Sequence, residues 1–216
     1  MMRSKLLCVA AVALVLAGCG SSDPALQFET KGLRPPQNLC AADPRSVANA
    51  VKINDIDGPS SCGVANAWSV SAVAQVQMSQ PATVNCGVIG PLDSWFGNAV
   101  QPAASAAFGE RVVAVDVAAS YACRPRNNRR GAKMSEHGFG NAIDLAAFTL
   151  ESGRKISVKT GWNGSSGERQ FLRQIRAGAC SDFTTVLGPG SDRYHNDHLH
   201  LDLAQHGRSG VNRYCH

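Results

Sequence analysis

The sequence lacks long apolar runs beyond its first eighteen residues, and it has no internal repeat and no low-complexity tract. An apolar fraction of 44% and a mean hydropathy of −0.12 are ordinary values for a globular protein. They exclude a bundle of membrane-spanning helices, which needs long apolar segments, and the polar bias of a disordered chain. With 216 residues, the chain is predicted to form one domain preceded by an extended leader.

No two cysteines form a C-x-x-C pair, which argues against a cysteine-ligated zinc site and against a thioredoxin-type centre. Any metal site must therefore use histidine and carboxylate ligands. Two of the eight cysteines lie in or next to the leader, and an even set remains: Cys40, Cys62, Cys86, Cys123, Cys180 and Cys215. In an exported chain this set predicts three disulfides, while their pairing stays open.

A nucleic-acid-binding motif is also missing, although the chain is basic. The net charge is +5, or +3 after the two positive charges of Arg3 and Lys5 in the leader are subtracted. Part of the excess is concentrated in residues 124–133, but no aromatic residues are interleaved there. We therefore expect no nucleic-acid partner. The basic segment is either a solvated loop or a surface that steers carboxylates.

Residues 1–18 have the pattern of a bacterial lipoprotein signal peptide. Arg3 and Lys5 form a positive n-region, followed by an apolar h-region too short to cross a bilayer as a helix. The segment ends in Leu-Ala-Gly before Cys19, which matches a lipobox. We expect Cys19 to be lipidated and to become the new N-terminus; the alternative is an ordinary secretory signal with a chance cysteine.

The residues after Cys19 lack the aspartate that often retains a lipoprotein in the inner membrane. The predicted location is therefore the periplasm, with the lipid anchor in the outer membrane. Residues 19–39 are polar, without a sustained apolar period, and read as a flexible tether. The folded domain is predicted to span residues 40–216.

Apolar spacing within this domain predicts several helices and strands. Pro91–Ala107 has helical periodicity with proline in the first turn, and Ser165 with Glu168 forms a capping box before a helix that ends near Gly178. Strands are predicted at Arg111–Ala118, Asn141–Phe148, Lys155–Lys159, Asp182–Leu187 and His198–Ala204, the second and third as a hairpin. This pattern predicts an α+β domain built on a small antiparallel sheet with flanking helices.

The first cluster with chemical potential runs from Ser135 to Asp144. His137 and Asp144 are seven residues apart with two glycines between them, so a loop carrying the histidine can turn into a strand carrying the aspartate. Both side chains can then converge on one ion.

The second cluster is His195-Asn196-Asp197-His198-Leu199-His200. If it leads into a strand, His198 and His200 point to the same face, because side chains alternate. A catalytic zinc site has three protein ligands and an open position. His137, Asp144 and one histidine of this cluster supply such a set, and Asp197 and His198 are candidates for the group that accepts a proton from the attacking water.

The two clusters resemble metallopeptidase motifs. Residues 135–144 fit S-x-H-x-x-G-x-A-x-D of the D-alanyl-D-alanine peptidases in the lysostaphin, D-Ala-D-Ala peptidase and hedgehog group, and residues 195–200 resemble the H-x-D-H-x-H segment of penicillin-insensitive murein endopeptidases. Residues 62–215, about seven tenths of the chain, resemble the bacterial extensin-like C-terminal domain family, including Ser120-Tyr121-Ala122-Cys123-Arg124 and Arg213-Tyr214-Cys215. The proline-rich repeats of plant wall proteins are absent.

This resemblance implies a disulfide-stapled zinc peptidase fold of that group, with His137, Asp144 and His200 as ligands of one zinc ion. His198 would stabilise the oxyanion or relay a proton. Asp197 stands where carboxypeptidase members carry a catalytic glutamate; because it is shorter, the general base is left open between Asp197, His198 and His195.

The resemblance also suggests substrate-binding residues. Arg124 falls roughly where the group has an arginine that binds the substrate carboxylate, with Arg126 as its competitor, and a bidentate guanidinium suits that task. Ser135 and Asn127 or Asn128 either bind substrate or orient the loop. Trp162 is interpreted as core or as a groove wall.

The predicted function is a zinc-dependent peptidoglycan endopeptidase that cleaves D,D (4-3) or L,D (3-3) cross-links between stem peptides. A D,D-carboxypeptidase is the alternative among enzymes. A non-catalytic peptidoglycan-binding lipoprotein and a metal-scavenging protein are the alternatives of other classes. The expected partners are peptidoglycan and, through the lipid, a membrane. The sequence indicates no particular protein partner.

Overall fold

The computed structural model describes residue 40, residues 43–207, residue 210 and residues 212–216. The predicted signal peptide, Cys19 and the tether lie outside these residues and stay predictions. The α-helices are α1 Pro44–Val47, α2 Cys86–Trp95, α3 Gln101–Phe108, α4 Val158–Gly161 and α5 Ser166–Ala179. The strands are β1 Ala48–Lys52, β2 Ile56–Asp57, β3 Gly63–Val64, β4 Ala67–Val73, β5 Val76–Asn85, β6 Val112–Ala119, β7 Ala142–Leu150, β8 Lys155–Ser157, β9 Thr185–Leu187, β10 Leu199–Asp202 and β11 Tyr214–Cys215.

Nine of the described strands form one sheet in the order β1-β4-β5-β6-β7-β10-β9-β11, with β8 paired to β7. The α+β class is confirmed, but the prediction of a small antiparallel sheet is wrong. The sheet is large, and it is mixed, because β5 runs parallel to β6 and β11 runs parallel to β9. The additional strands include β1, β4 and β5, which were not predicted from the sequence.

The helices and the sheet share one apolar core. The Trp95 indole of α2 donates to the carbonyl of Ile175 in α5 at 2.8 Å and lies edge-on to Phe148 of β7, with ring centroids 6.1 Å apart. Phe148 in turn packs against Phe171 of α5 at 5.5 Å. Because Ile143 and Leu145 of β7 point into this core, the side chain between them points to the other face of the sheet.

The helix predicted over Pro91–Ala107 is part of a longer helical stretch, residues 86–108. Pro91 lies inside α2 rather than in a first turn, since Asn85 caps the helix by accepting from the N–H of Gly87. Between α2 and α3 the helix widens over Phe96–Val100, where the N–H of Gln101 donates to the carbonyl of Phe96. Pro102 follows and has no N–H to donate, so the regular α-helical hydrogen-bond pattern is disfavoured at this point of the helix.

The remaining predicted elements are present with shifted ends. The hairpin forms from β7 and β8, whose Phe148 and Ile156 pair across the strands, but Val158–Gly161 turns into the short helix α4. The capping box at Ser165 opens α5, which ends at Ala179. Both predicted strands after α5 are shorter than expected, as β9 and β10.

Three disulfides join described cysteines, as predicted, and the structure supplies their pairing: Cys40–Cys86, Cys62–Cys123 and Cys180–Cys215. The second joins the β2–β3 segment to the segment that follows β6. The third joins the end of α5 to β11. Within the described part of the chain, every helix is too short or too polar to cross a bilayer.

Candidate metal centre

Asp144 and His200 face each other on the neighbouring strands β7 and β10. The two strands are antiparallel, and their register places His200 opposite Asp144. The Cβ atoms of directly opposed residues are about 4.5–5.5 Å apart. Here the side chains meet, with His200 Nδ1 2.8 Å from Asp144 Oδ1. Their neighbours Leu199 and Leu145, also paired, belong to the apolar core. Strand alternation therefore places Asp144 and His200 on the sheet face away from that core.

His137 reaches the same point from the turn Glu136–Phe139 that precedes β7. Its Nδ1 lies 2.6 Å from the carbonyl oxygen of Ser120, and since a carbonyl only accepts, Nδ1 carries the proton. Its Nε2 is then the atom with a free electron pair, and it lies 3.1 Å from Asp144 Oδ2 and 3.2 Å from His200 Nδ1. Ser120 follows β6, so three adjacent strands of the sheet define the site.

The two glycines between His137 and Asp144 lie in close-packed surroundings. Gly140 has a φ of +59°, and a Cβ there would lie 2.7 Å from Val64 Cγ1 and 2.9 Å from the backbone nitrogen of Asn85. Gly138 is closely packed, because a Cβ there would lie 3.0 Å from Cys62 Sγ. A side chain at Gly140 would have to displace Val64 or the backbone of Asn85 and would disturb the His137 turn.

His137, Asp144 and His200 form a buried group whose ligand atoms all lie within 4.8 Å of one another. This group can hold a metal ion. His200 Nε2 donates to Asp202 Oδ2 at 2.9 Å, so Asp202 fixes the ring with Nδ1 turned toward Asp144. A ligating histidine whose second nitrogen is held by a carboxylate or a carbonyl is typical of protein metal sites, and both histidines meet that condition.

The electrostatics of the group match a site built for a cation. Burial alone would favour a neutral imidazole, but the hydrogen bonds to Asp144 and Asp202 outweigh it and raise the pKa of His200 to about 10. Burial opposes ionisation of Asp144 and Asp202. The interactions with His137 and His200 nevertheless hold the pKa of Asp144 below the usual range of a carboxyl group, and the bond with His200 does the same for Asp202. A bound cation would replace the proton that these groups share.

His198 stands at the edge of the ligand group, just before β10. Its Nε2 lies 3.6 Å from Asp144 Oδ1, and its Nδ1 lies 2.9 Å from Asp197 Oδ1. Asp197 itself is 59% exposed. The expected placement of His198 and His200 on one face is therefore present, and Asp197 contacts the far side of the His198 ring.

His195 is buried beside the same group. Its ring centroid lies 5.2 Å from that of His198 and 5.6 Å from that of His200, and its Nδ1 is bound to Asp192 Oδ1 at 2.7 Å. Burial lowers the pKa of His195 in spite of the bond to Asp192, which acts in the opposite direction. His195 is therefore held neutral more readily than a free histidine.

The ligand group opens into a cleft with a volume of about 570 Å³. The predicted substrate-binding residues Arg124, Arg126 and Ser135 line it, as do Asn127 and Asn128. Arg126 Nη2 lies 3.4 Å from Oε1 of the buried Glu136. The structure thus brings all predicted site residues except Asp197 and the groove-wall candidate Trp162 to the lining of one cleft.

Sequence reasoning missed several residues of this cleft: Glu136, Thr185, Leu187, Asp192, Tyr194, Asp202, His206 and Tyr214. For Asp202 a signal was available, because it is two residues after His200 and strand alternation places both on one face. Thr185 and Leu187 lie opposite Asp202 and His200 on β9. Tyr214 lies in a run that carried the family resemblance but was given no role, and it reaches the cleft through the pairing of β11 with β9.

A comparison with protein families adds to this geometry. The pattern of the family described as extensin-like protein C-terminus matches residues 38–216. The chain belongs to this extensin-like family. No curated protein and no solved structure matches this extensin-like chain. The family match includes the whole ligand group and the cleft.

Proposed function

We propose that this chain is an exported zinc-dependent peptidoglycan endopeptidase that hydrolyses D,D (4-3) or L,D (3-3) cross-links between stem peptides. The observation that carries the proposal is the buried group of His137, Asp144 and His200 at the floor of an open cleft. A binding module would not need three converging ligand atoms together with a further histidine and its carboxylate. The likeness of both motifs to peptidases of the lysostaphin, D-Ala-D-Ala peptidase and hedgehog group supports the same reaction.

The residues present fit one zinc ion. Zinc accepts imidazole nitrogen and carboxylate oxygen, and catalytic sites use three protein ligands. When bound, zinc would supply polarisation of the scissile carbonyl and activation of a water molecule. Ser120 and Asp202 hold His137 and His200 in the orientations that this requires.

Proton transfer is assigned to His198. Its Nε2 is turned toward Asp144, while Asp197 holds the proton on Nδ1. A histidine held in this way can accept a proton at Nε2 and give it to the departing amine. In this proposal Asp197 is a positioning residue, and His195, held by Asp192, lines the cleft beside His198.

The cleft also fits an acidic substrate. Arg124 and Arg126 line it, and a guanidinium binds a carboxylate through two parallel hydrogen bonds. Stem peptides carry carboxylates beside the bond to be cut. The proposed setting is the periplasm, with lipid at Cys19 and an outer-membrane anchor, and three disulfides suit an oxidising compartment.

The same two arginines favour a second candidate, a D,D-carboxypeptidase. A terminal carboxylate is the group that distinguishes its substrate from an internal cross-link. The two activities differ in which products appear, so one experiment separates them.

The test is digestion of intact peptidoglycan sacculi by the purified protein, with muropeptides resolved by mass. Loss of dimers with a matching gain of monomers is expected, and a chelator should abolish it. Pentapeptides converted to tetrapeptides, with dimers intact, would instead establish the carboxypeptidase. Unchanged sacculi from protein that holds zinc would refute both.

Two variants sharpen this test. His200→Ala removes a ligand and should abolish both zinc content and hydrolysis. His206→Ala is the matched control, because His206 lines the same cleft but binds Thr185 instead of the ligand group. Retained hydrolysis in His200→Ala would overturn the ligand assignment.

A further inference from the structure

A second cavity, of about 460 Å³, lies between the C-terminal half of α5 and the edge of the sheet. Its lining is Trp162, Arg173, Arg176, Ala177, Cys180, Val186, Cys215 and His216. On β9, Thr185 and Leu187 line the metal cleft while Val186 lines this cavity. On β11, Tyr214 lines the metal cleft while Cys215 lines this cavity. Strand alternation therefore puts the two cavities on opposite faces of the sheet.

Two guanidinium groups lie at the wall of this cavity. Arg173 and Arg176 are three residues apart on α5 and share one side of the helix. Their Cζ atoms lie 5.7 Å and 5.2 Å from the ring centroid of Trp162. A cation over an indole face is attracted by the ring, so Trp162 favours positions of both groups beside it.

Within the described part of the chain, neither guanidinium has an acidic partner. The hydrogen bond described for Arg176 runs from Nη1 to the carbonyl of Pro189 at 3.1 Å. Arg176 is partly buried, and burial lowers its pKa. A paired arginine elsewhere shows the contrast, since Arg154 binds Glu168. Two like charges placed together repel each other, and an anion bound between them would be attracted by both.

Most of the remaining wall is apolar and consists of Ala177, Val186 and the Cys180–Cys215 disulfide. His216 completes the lining as a polar residue. The volume lies within the range of about 300–1,000 Å³ that small-molecule sites occupy. The cavity therefore offers charge at one side and an apolar surface at the other.

We propose that this cavity binds a small organic oxyanion, a carboxylate or phosphate group carried on an apolar moiety, with Arg173 and Arg176 as its anion-binding pair. Guanidinium forks match both anions through paired N–H donors. The apolar wall would receive the rest of the ligand. The site is separate from the metal centre, so it stands whether or not the chain is a peptidase.

The test uses two probes, inorganic phosphate and N-acetylalanine, titrated into the full chain with a chelator present. The readout is the indole N–H resonance of Trp162, assigned with a Trp162→Phe variant, because Trp68 and Trp95 are buried in the core. A saturable shift confined to Trp162 is expected with at least one probe. Response to phosphate alone identifies a phosphate ligand, and response to N-acetylalanine alone identifies a carboxylate.

Three variants decide the assignment. Arg176→Gln and Arg173→Gln should each weaken binding about tenfold or more, the loss expected for a charged hydrogen bond. Arg169→Gln is the matched control, because it removes the same charge from an exposed position of α5 that does not line the cavity. Arg173 is exposed, so its variant tests the site even if Arg176→Gln fails to fold. No saturable shift with either probe, or equal weakening by Arg169→Gln, would overturn the proposal.

Discussion

At the residue scale, Asp202 is the strongest case of a side chain that acts through another. Its Oδ2 accepts from His200 Nε2, while its Oδ1 accepts from the backbone N–H of Ala204. Asp202→Asn keeps the size of the side chain but can turn an N–H₂ toward the His200 N–H. Loss of such a carboxylate partner lowers metal affinity by about 10–100-fold. Chelator competition with zinc would measure this loss.

The control for that measurement is Asp192→Asn. Asp192 also holds a histidine of the cleft, His195, but that histidine is outside the ligand group. Metal affinity should therefore stay at the wild-type value. Equal losses in the two variants would mean that general disturbance of the cleft, and not the orientation of His200, lowers the affinity.

Asp197 gives a second prediction at this scale. In Asp197→Asn the bond to His198 Nδ1 is weakened, while the ligand group is untouched. We expect zinc content to stay at one ion per chain and hydrolysis of sacculi to fall by about 10²-fold or more, the range of general acid–base assistance. Hydrolysis at the wild-type rate would remove Asp197 from the mechanism.

His137 and Asp144 could be predicted as ligands from the residues themselves, because they flank two glycines that permit a tight turn. The choice of His200 among the histidines of the second cluster came from the resemblance. Asp202 and Asp192 were not predicted, since a single aspartate near a histidine is common and only the folded register shows which ring it holds. Asp197 was one of three candidates for the general base, beside His198 and His195, and in the structure it contacts Nδ1 of His198.

At the element scale, α5 begins with a reciprocal cap. The Ser165 hydroxyl accepts from the N–H of Glu168, and Glu168 Oε2 accepts from the N–H of Ser165 at 2.8 Å. Ser165→Ala should lower the free energy of unfolding by about 1 kcal/mol. The midpoint temperature of thermal unfolding should fall by about 2–4 °C for a domain of this size. Ser166→Ala is the control, since the Ser166 hydroxyl makes none of the described hydrogen bonds.

The cap also predicts a pH dependence. The hydrogen bonds from Ser165 hold the pKa of Glu168 below its usual value of 4.5. A carboxyl group with a lowered pKa stabilises the fold above its unfolded pKa, and that contribution is lost as the pH falls through the lowered value. Glu168→Gln should therefore be less stable than the wild type at pH 7. The difference should shrink as the pH falls below 4.5 and vanish once the pH is below the lowered pKa of Glu168. A difference that persists unchanged in acid would contradict the carboxylate's role.

Elements with a local signal were predictable, and those without one were not. The capping box, the β-branched run of β6 and the hairpin of β7 and β8 are all present. The turn between β4 and β5 consists of Ala74 and Gln75, both with positive φ, where hairpins usually carry Asn-Gly. Pro81 then interrupts β5 where its pairing with β4 is irregular.

At the scale of the whole molecule, the order of the strands decides which residues share the cleft. The sheet brings β6, β7, β10, β9 and β11 side by side, although β11 is far from β6 in the chain. Local periodicity cannot reveal such an order, nor the parallel pairing of β5 with β6. The pairing of the cysteines follows from the same long-range order and was open for the same reason.

The Cys62–Cys123 disulfide is the one we expect to couple stability to the metal centre. Gly138, next to His137, packs against Cys62, and Cys123 precedes Arg124 of the cleft. Cys62→Ala/Cys123→Ala should cost about 2–5 kcal/mol of unfolding free energy. It should also weaken zinc binding, because the His137 turn loses its support.

Cys180→Ala/Cys215→Ala supplies the comparison. This bridge closes a separation of 35 residues against 61 for Cys62–Cys123 and lies on the sheet face away from the ligands. It should destabilise the fold while leaving zinc affinity near the wild-type value, measured by chelator competition below the unfolding temperature of each variant. If both double variants lost zinc affinity equally, the loss would reflect lower overall stability. The Cys62–Cys123 disulfide would then have no specific effect on the His137 turn.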